Sequence, residues 1–192
     1  MKKIINSLLI ITVVLSAFAF TNPIKEKVHV KESTILWKGK KITGSSHTGT
    51  VALKEGYFKI ENDLFVGGNF VIDMTSITAT NMDSDEYRLK LENHLKSDDF
   101  FGVNEFPTAT LRFDGVGQLT EARHYEVHGT LTIKGISNPI VFNISAEDRT
   151  ATVHLEVDRS KYNVRYGSNS FFDNLGNRAI SDTFELDITL KY

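Results

Sequence analysis

The chain has 192 residues, with 22 Lys and Arg against 24 Asp and Glu, a net charge of -2. That length suits one domain with a sizeable core, and the near-neutral balance argues against nucleic acid, which is met by a clustered basic face. There is no Cys, which excludes a disulfide framework, thiolate metal ligands, a cysteine nucleophile and a lipid-modified cysteine. Thirteen Phe stand against six Tyr, so the aromatic volume is poor in hydroxyls and serves either a packed core or an apolar cavity.

Residues 1–19 read as an address. Lys2 and Lys3 precede an almost wholly apolar run from Ile4 to Phe20, and Ala17-Phe18-Ala19 is a small-x-small site. The pattern is that of a secretory signal peptide cleaved after Ala19. The alternative is a retained anchor, for which about 17 residues is the short limit. Removing the first 19 of 192 residues leaves 173 as one domain, 20–192. Two lysines and no acids go with them, so the charge moves from -2 to -4. The expected location is the periplasm or outside the cell.

Residues 35–42, 48–53, 57–60 and 69–73 are predicted strands, parted by the turn signals Lys54-Glu55-Gly56 and Gly67-Gly68. The stretch 81–99 breaks the pattern. Asp83 with Glu86 resembles a capping pair, and Tyr87, Leu91 and Leu95 recur at helical spacing. A helix over about 83–97 is predicted, followed by a loop through Pro107. Strict alternation then returns. Ala109, Leu111 and Phe113 share one phase; so do Tyr125, Val127, Gly129, Leu131 and Ile133. Ile140, Phe142 and Ile144, then Val153, Leu155 and Val157, then Phe184, Leu186, Ile188, Leu190 and Tyr192 follow suit. Turn signals lie at 115–117 and 135–139. Eight or nine strands with one buried and one wet face imply an antiparallel sandwich or barrel.

Chemistry-bearing motifs are scarce. His124 and His128 are four apart, about 13 Å along a strand and too far to share one ion. His128 and His154 fall on the polar phase of their strands. The acids Asp83, Asp85 and Glu86 suit a helix N-terminus, and Asp98-Asp99 suit a turn. There is no Gly-x-Ser-x-Gly elbow and no phosphate loop. No catalytic residue and no metal ligand is expected. The Phe residues carry more. Phe58, Phe65, Phe70, Phe113, Phe142 and Phe184 fall on strands, Phe100, Phe101 and Phe106 flank the helix, and Phe171-Phe172 lie in a late loop. Pattern alone leaves a packed core and a lined lumen equally open.

Several segments in order then become recognisable. They are His94-Leu95-Lys96-Ser97-Asp98-Asp99-Phe100-Phe101-Gly102-Val103, Phe106-Pro107-Thr108-Ala109-Thr110, the run from Tyr125 to Gly135, and Asn138-Pro139-Ile140. With the upstream 44–49 and 73–77 segments, the chain resembles the YceI-like family over about residues 28–192. The resemblance implies an all-β fold, an extended eight-stranded antiparallel lipocalin-like barrel with a short helical insertion. It also implies an apolar tunnel holding an isoprenoid or fatty-acid-type lipid as ligand, with no cofactor. The family pattern has Asp where this chain has Gly102, and the 134–140 segment also departs from it. The implied tunnel wall takes Phe58, Phe65, Phe70 and Ile72 from the early strands and Leu91, Leu95, Phe100 and Phe101 from the insertion. Phe113, Leu131, Ile133, Phe142, Ile144, Val153, Leu155, Phe184 and Leu186 come from the later strands, with Phe171 and Phe172 as a cap within the 162–182 loop. Arg88, Lys90, His94 and Lys96 on the helix are candidate contacts for a polar head group.

The expected partner is a small-molecule lipid, bound by a monomer or homodimer, with transient membrane contact and no nucleic acid. Burial of an alkyl chain supplies roughly 0.8 kcal/mol per CH₂. Two rivals remain. The aromatic-ended last strand also suits a small outer-membrane barrel, which would place apolar residues outside. A lipid-modifying hydrolase would need a nucleophile–base pair or metal cluster.

Overall fold

The structure is a computed structural model that describes residues 22–118 and 123–192; the proposed signal peptide lies outside them. Nine antiparallel strands form one sheet: β1 (Ile24–Lys27), β2 (Thr34–Lys40), β3 (Ser46–Glu61), β4 (Leu64–Ala79), β5 (Thr108–Gln118), β6 (His124–Ile133), β7 (Ile136–Glu147), β8 (Thr150–Asp158) and β9 (Thr183–Lys191). Neighbours run β3-β2-β9-β8-β7-β6-β5-β4, and β4 pairs back to β3. Eight strands therefore close a barrel. The ninth, β1, lies on the outer half of β3, pairing Ile24–Lys27 with Tyr57–Ile60, while β2 takes Ser46–Thr50. One α-helix is present among the described residues, α1 (Asp85–Lys96), inserted between β4 and β5.

The alternation that marks each strand is an inside–outside pattern. Val153, Leu155 and Val157 are buried, whereas His154 and Glu156 between them are exposed. His154 pairs with Asp187 at 2.7 Å, and His128 with Glu126 at 2.8 Å, both on the outer face. Polar outside and apolar inside is the reverse of a barrel that shows an apolar band to lipid.

Glycines mislead the reading of the early strands. The Lys54-Glu55-Gly56 turn does not form: β3 runs on for 16 residues, with a register irregularity between Leu53 and Glu55. Gly67-Gly68 lies within β4, and the actual turn is Asn62-Asp63, both at positive φ. Gly115 falls at an irregularity inside β5, and only Lys134-Gly135 separates β6 from β7. A glycine in a strand marks a bulge or a close approach as well as a turn. Gly49 is such an approach. An added Cβ there would sit 1.8 Å from the Thr78 carbonyl and 2.6 Å from the Trp37 ring. The Trp37 indole occupies that space and donates to the carbonyls of Thr50 (3.3 Å) and Thr78 (3.1 Å), tying β2 to both β3 and β4.

The barrel has a plugged end and a capped end. At the plug, Phe58 and Phe65 stack at 4.3 Å between centroids, and Tyr192 meets both rings edge-on at 5.2 and 5.4 Å. Tyr125 lies 5.1 Å from Phe65. At the other end α1 sits over the rim. Ser84, not Asp83, precedes the helix, and no side chain caps it. Buried Glu92 instead accepts from the Ala79 amide at 3.0 Å and from Arg88 at 3.2 Å, fastening the helix to the end of β4. After the helix, the amides of Phe101 and Val103 bond back to Leu95 and Lys96, and Gly102 adopts φ +57. Gly, like the Asp of the family pattern, tolerates that left-handed turn.

The connection from β8 to β9 completes the cap, and Arg159 organises it. Its guanidinium is buried and donates to the carbonyls of Ser181 (2.9 Å), Val164 (2.8 Å), Tyr166 (2.9 Å) and Ile180 (3.1 Å). Asp182 stands 3.5 Å away. Burial pushes the Arg159 pKa down from its ordinary value, with Asp182 and Asp158 acting against the shift.

Two stability predictions follow from these contacts. Arg159→Met strands four carbonyls and a carboxylate, and should cost about 3–5 kcal/mol in urea unfolding. Gly49→Ala should cost about 1–3 kcal/mol through overpacking, read in the same assay.

Candidate ligand-binding cavity

The barrel interior is not filled by side chains. A cavity of about 380 Å³ runs from Phe58 at the plug to the exposed Lys41 and Ser45 at the opposite rim. Its size falls within the usual range for a small-molecule site, about 300–1,000 Å³. The wall is built by the inward phase of all eight barrel strands. Ile35 and Trp37 come from β2, Val51 and Leu53 from β3, Phe70, Ile72, Met74 and Ile77 from β4, and Ala109, Leu111 and Phe113 from β5. Leu131 and Ile133 (β6), Phe142 and Ile144 (β7), Val153 and Leu155 (β8), and Phe184, Leu186, Ile188 and Leu190 (β9) complete it. Leu91, Leu95, Phe100 and Phe101 close the capped end.

Three expected wall residues lie elsewhere. Phe65 belongs to the aromatic plug, behind Phe58. Phe171 and Phe172 do not reach the cavity; Arg165 lies over their rings at 4.8 and 6.0 Å, and Phe172 is exposed. Two aromatic residues in an irregular loop carry no phase from which to read their direction.

The expected head-group residues divide. His94 lines the cavity, edge-on to Tyr166 at 4.3 Å and Phe100 at 5.4 Å. Arg88 does not. It bridges Asp85 (2.9 Å) and Glu92 (3.2 Å) along its own helix, the i,i+3 and i,i+4 neighbours that helical geometry supplies. Lys90 is exposed and Lys96 half-buried, and neither is on the wall. Residues that pattern reading passed over stand at the mouth instead: Lys40, Lys41, Ser45, His47, Arg159, Tyr166 and Ser181. The signal for four of them was present, Ser45 following His47 in phase. Lys41, His47 and Arg159 continue the inward phases Ile35-Trp37-Gly39, Leu53-Val51-Gly49 and Val153-Leu155-Val157.

A second, shallower depression lies outside the barrel between β7 and β8. It is edged by Val141, Asn143, Thr152, His154 and Asp187. These two strands pair only over Ile144–Glu147 and Thr150–Val153, whereas β8 and β9 pair along their whole length. Among the described residues, no three His, Asp or Glu side chains gather in a way that holds a metal ion.

Comparison with known proteins agrees with this architecture. A crystal structure of Burkholderia cenocepacia BcnA superposes with a TM-score of 0.66 at 19% identity, over 85% of this chain and 98% of that one. A polyisoprenoid binding domain from Saccharophagus degradans, implicated in plant cell wall breakdown, gives 0.61 at 18% identity over 85% and 95%. A Campylobacter jejuni YCEI protein gives 0.55 at 20% identity over 74% and 82%. At such identities the likeness speaks for the fold alone. No curated protein matches the sequence. The YceI-like domain model, however, matches residues 27–192, from the last residue of β1 through β9. On that match, the chain belongs to the YceI-like domain family.

Proposed function

We propose that the protein is a non-catalytic carrier that holds one long apolar chain, an isoprenoid or similar amphiphilic lipid, inside the barrel for transport or storage. The observation that supports this reading most is the wall itself. Eight strands direct their apolar phase at a cavity that their own side chains leave unfilled. A domain without that purpose gains stability by filling such a space. The polyisoprenoid-binding domain of similar fold points the same way. The 1–19 segment adds the proposal that the carrier works in the periplasm or outside the cell, after cleavage behind Ala19.

The single tryptophan is a built-in reporter, because Trp37 lies on the wall. Protein purified without detergent and stripped with solvent should change its Trp emission when a long-chain isoprenoid is added. The solvent extract should contain an amphiphile by mass spectrometry. No change of emission, together with no extractable lipid, would falsify the carrier reading.

Side-chain phase supplies a second check. Leu131 is buried on the wall, and Thr130 beside it is exposed. Leu131→Lys should abolish lipid uptake or folding by placing an ammonium in an apolar lumen. Thr130→Lys should leave both within experimental error, as judged by circular dichroism and Trp37 emission.

A further inference from the structure

The inner wall changes chemistry at the mouth, and it does so on three strands at once. On β2 the inward phase reads Ile35, Trp37 and Gly39, and its next member is Lys41. On β3, followed toward the same rim, it reads Leu53, Val51, Gly49, His47 and Ser45. On β8 it ends at Arg159. The ladder brings the first two together: Gly39 pairs with His47, and the Lys41 amide donates to the Ser45 carbonyl at 2.8 Å. A bridge from Lys41 to Ile180 then joins this corner to the loop that Arg159 holds.

The charges at this rim are of one sign. Among the described residues, the lining includes Lys40, Lys41, His47, His94 and Arg159 but no Asp or Glu, and the Lys40 ammonium itself turns to Glu185 on the outer face. The nearest acids are already engaged. Glu185, on the outer face, takes both Lys40 and Lys38, and Asp182 faces Arg159. Arg159 in turn directs its N–H groups to four backbone carbonyls. The buried Asp182 Oδ1 has no hydrogen-bond partner but stands 3.5 Å from the Arg159 guanidinium, and two groups at the mouth have neither kind of partner. The Lys41 ammonium is exposed and has no ion-pair or hydrogen-bond partner among the described residues. The Nδ1 atom of His47 is buried and has no hydrogen-bond partner. A buried polar atom without a partner is uncommon and asks for one.

We propose that Lys41 and His47, with the Ser45 hydroxyl beside them, form a head-group site for a lipid whose polar end is an anionic oxyacid, a carboxylate or a phosphate monoester. The site rests on the carrier reading above and adds to it the chemistry of the ligand's wet end. The apolar chain lies below Gly39 and Gly49. The oxyanion stays at the rim, where it accepts from the ammonium, from the imidazole in its Nδ1–H form and from the hydroxyl. The unpaired ammonium of Lys41 favours the anion over a neutral head of the same size.

Three probes with one alkyl chain separate the head from the tail: hexadecanoic acid, hexadecyl phosphate and hexadecan-1-ol, titrated into delipidated protein with Trp37 emission as readout. At least one of the two anions should bind about tenfold more tightly than the alcohol, the scale of one charge-assisted hydrogen bond. The comparison between the two anions tells which oxyacid the site takes. Lys41→Ala should weaken the preferred anion more than hexadecanol and so remove most of the preference, and Lys41→Arg should retain it. Because Lys41 is exposed, neither change threatens folding. Equal binding of all three probes would overturn the head-group site while leaving the carrier intact. So would a Lys41→Ala variant that weakens acid and alcohol alike. If none of the three binds although the isoprenoid does, this site falls and the carrier stands; if the isoprenoid fails too and no lipid is extracted, both fall.

Discussion

Hydrogen bonding along the seam between β3 and β4 is the constraint on which the rest depends. These strands of 16 residues each turn an open sheet into a closed one. Closure removes the free edges of the sheet, and it allows the interior to be lined and not packed. A cavity weakens a domain, because its lining loses contacts. With no disulfide to offset that loss, the ladder and the two ends must carry it. The seam is reinforced toward the mouth: Trp37 lies against Gly49, and its N–H reaches across to Thr78 on β4.

The two ends solve different problems. The plug is a fixed aromatic cluster of Phe58, Phe65, Tyr125 and Tyr192. The cap is built from α1 and two irregular connections, held by a few polar anchors. Glu92 fastens the helix to β4, and Lys134 reaches the carbonyls of Phe100 and Asp98 at 2.8 and 3.3 Å. Arg159 gathers the long connection before β9. Such anchors position His94, Phe100 and Tyr166 over the cavity without closing its rim, where Lys41 and Ser45 stay exposed.

Most of the wall was legible in the sequence because period two is a direct record of facing. Leu131 against Thr130, or Leu155 against Glu156, needs no tertiary information. Legibility failed where phase fails. Gly56, Gly67 and Gly68 looked like turns, yet they sit inside strands at bulges and tight contacts. Phe171 and Phe172 sit in a loop, where apolar character says nothing about direction. Arg88 looked available on a charged helix, but its neighbours Asp85 and Glu92 lie within reach on the same helix face. The mouth was missed for a simpler reason. Lys41, His47 and Arg159 keep the inward phase of their strands, but a search for apolar alternation stops at the first polar residue.

The short pairing between β7 and β8 bears on how the wall behaves as a boundary. Beyond Ile144 and Val153 the two strands are not laced together, although Phe142 and Leu155 beside the gap both face the lumen. Over most of the circumference, inside and outside are separated by a backbone ladder that opens only if several bonds break together. Along this line the separation is made by side chains alone. Rotamer changes there take picoseconds to nanoseconds, far faster than strand separation. Between β7 and β8 the wall of the barrel thus depends on the bulk of a few side chains beside a short ladder.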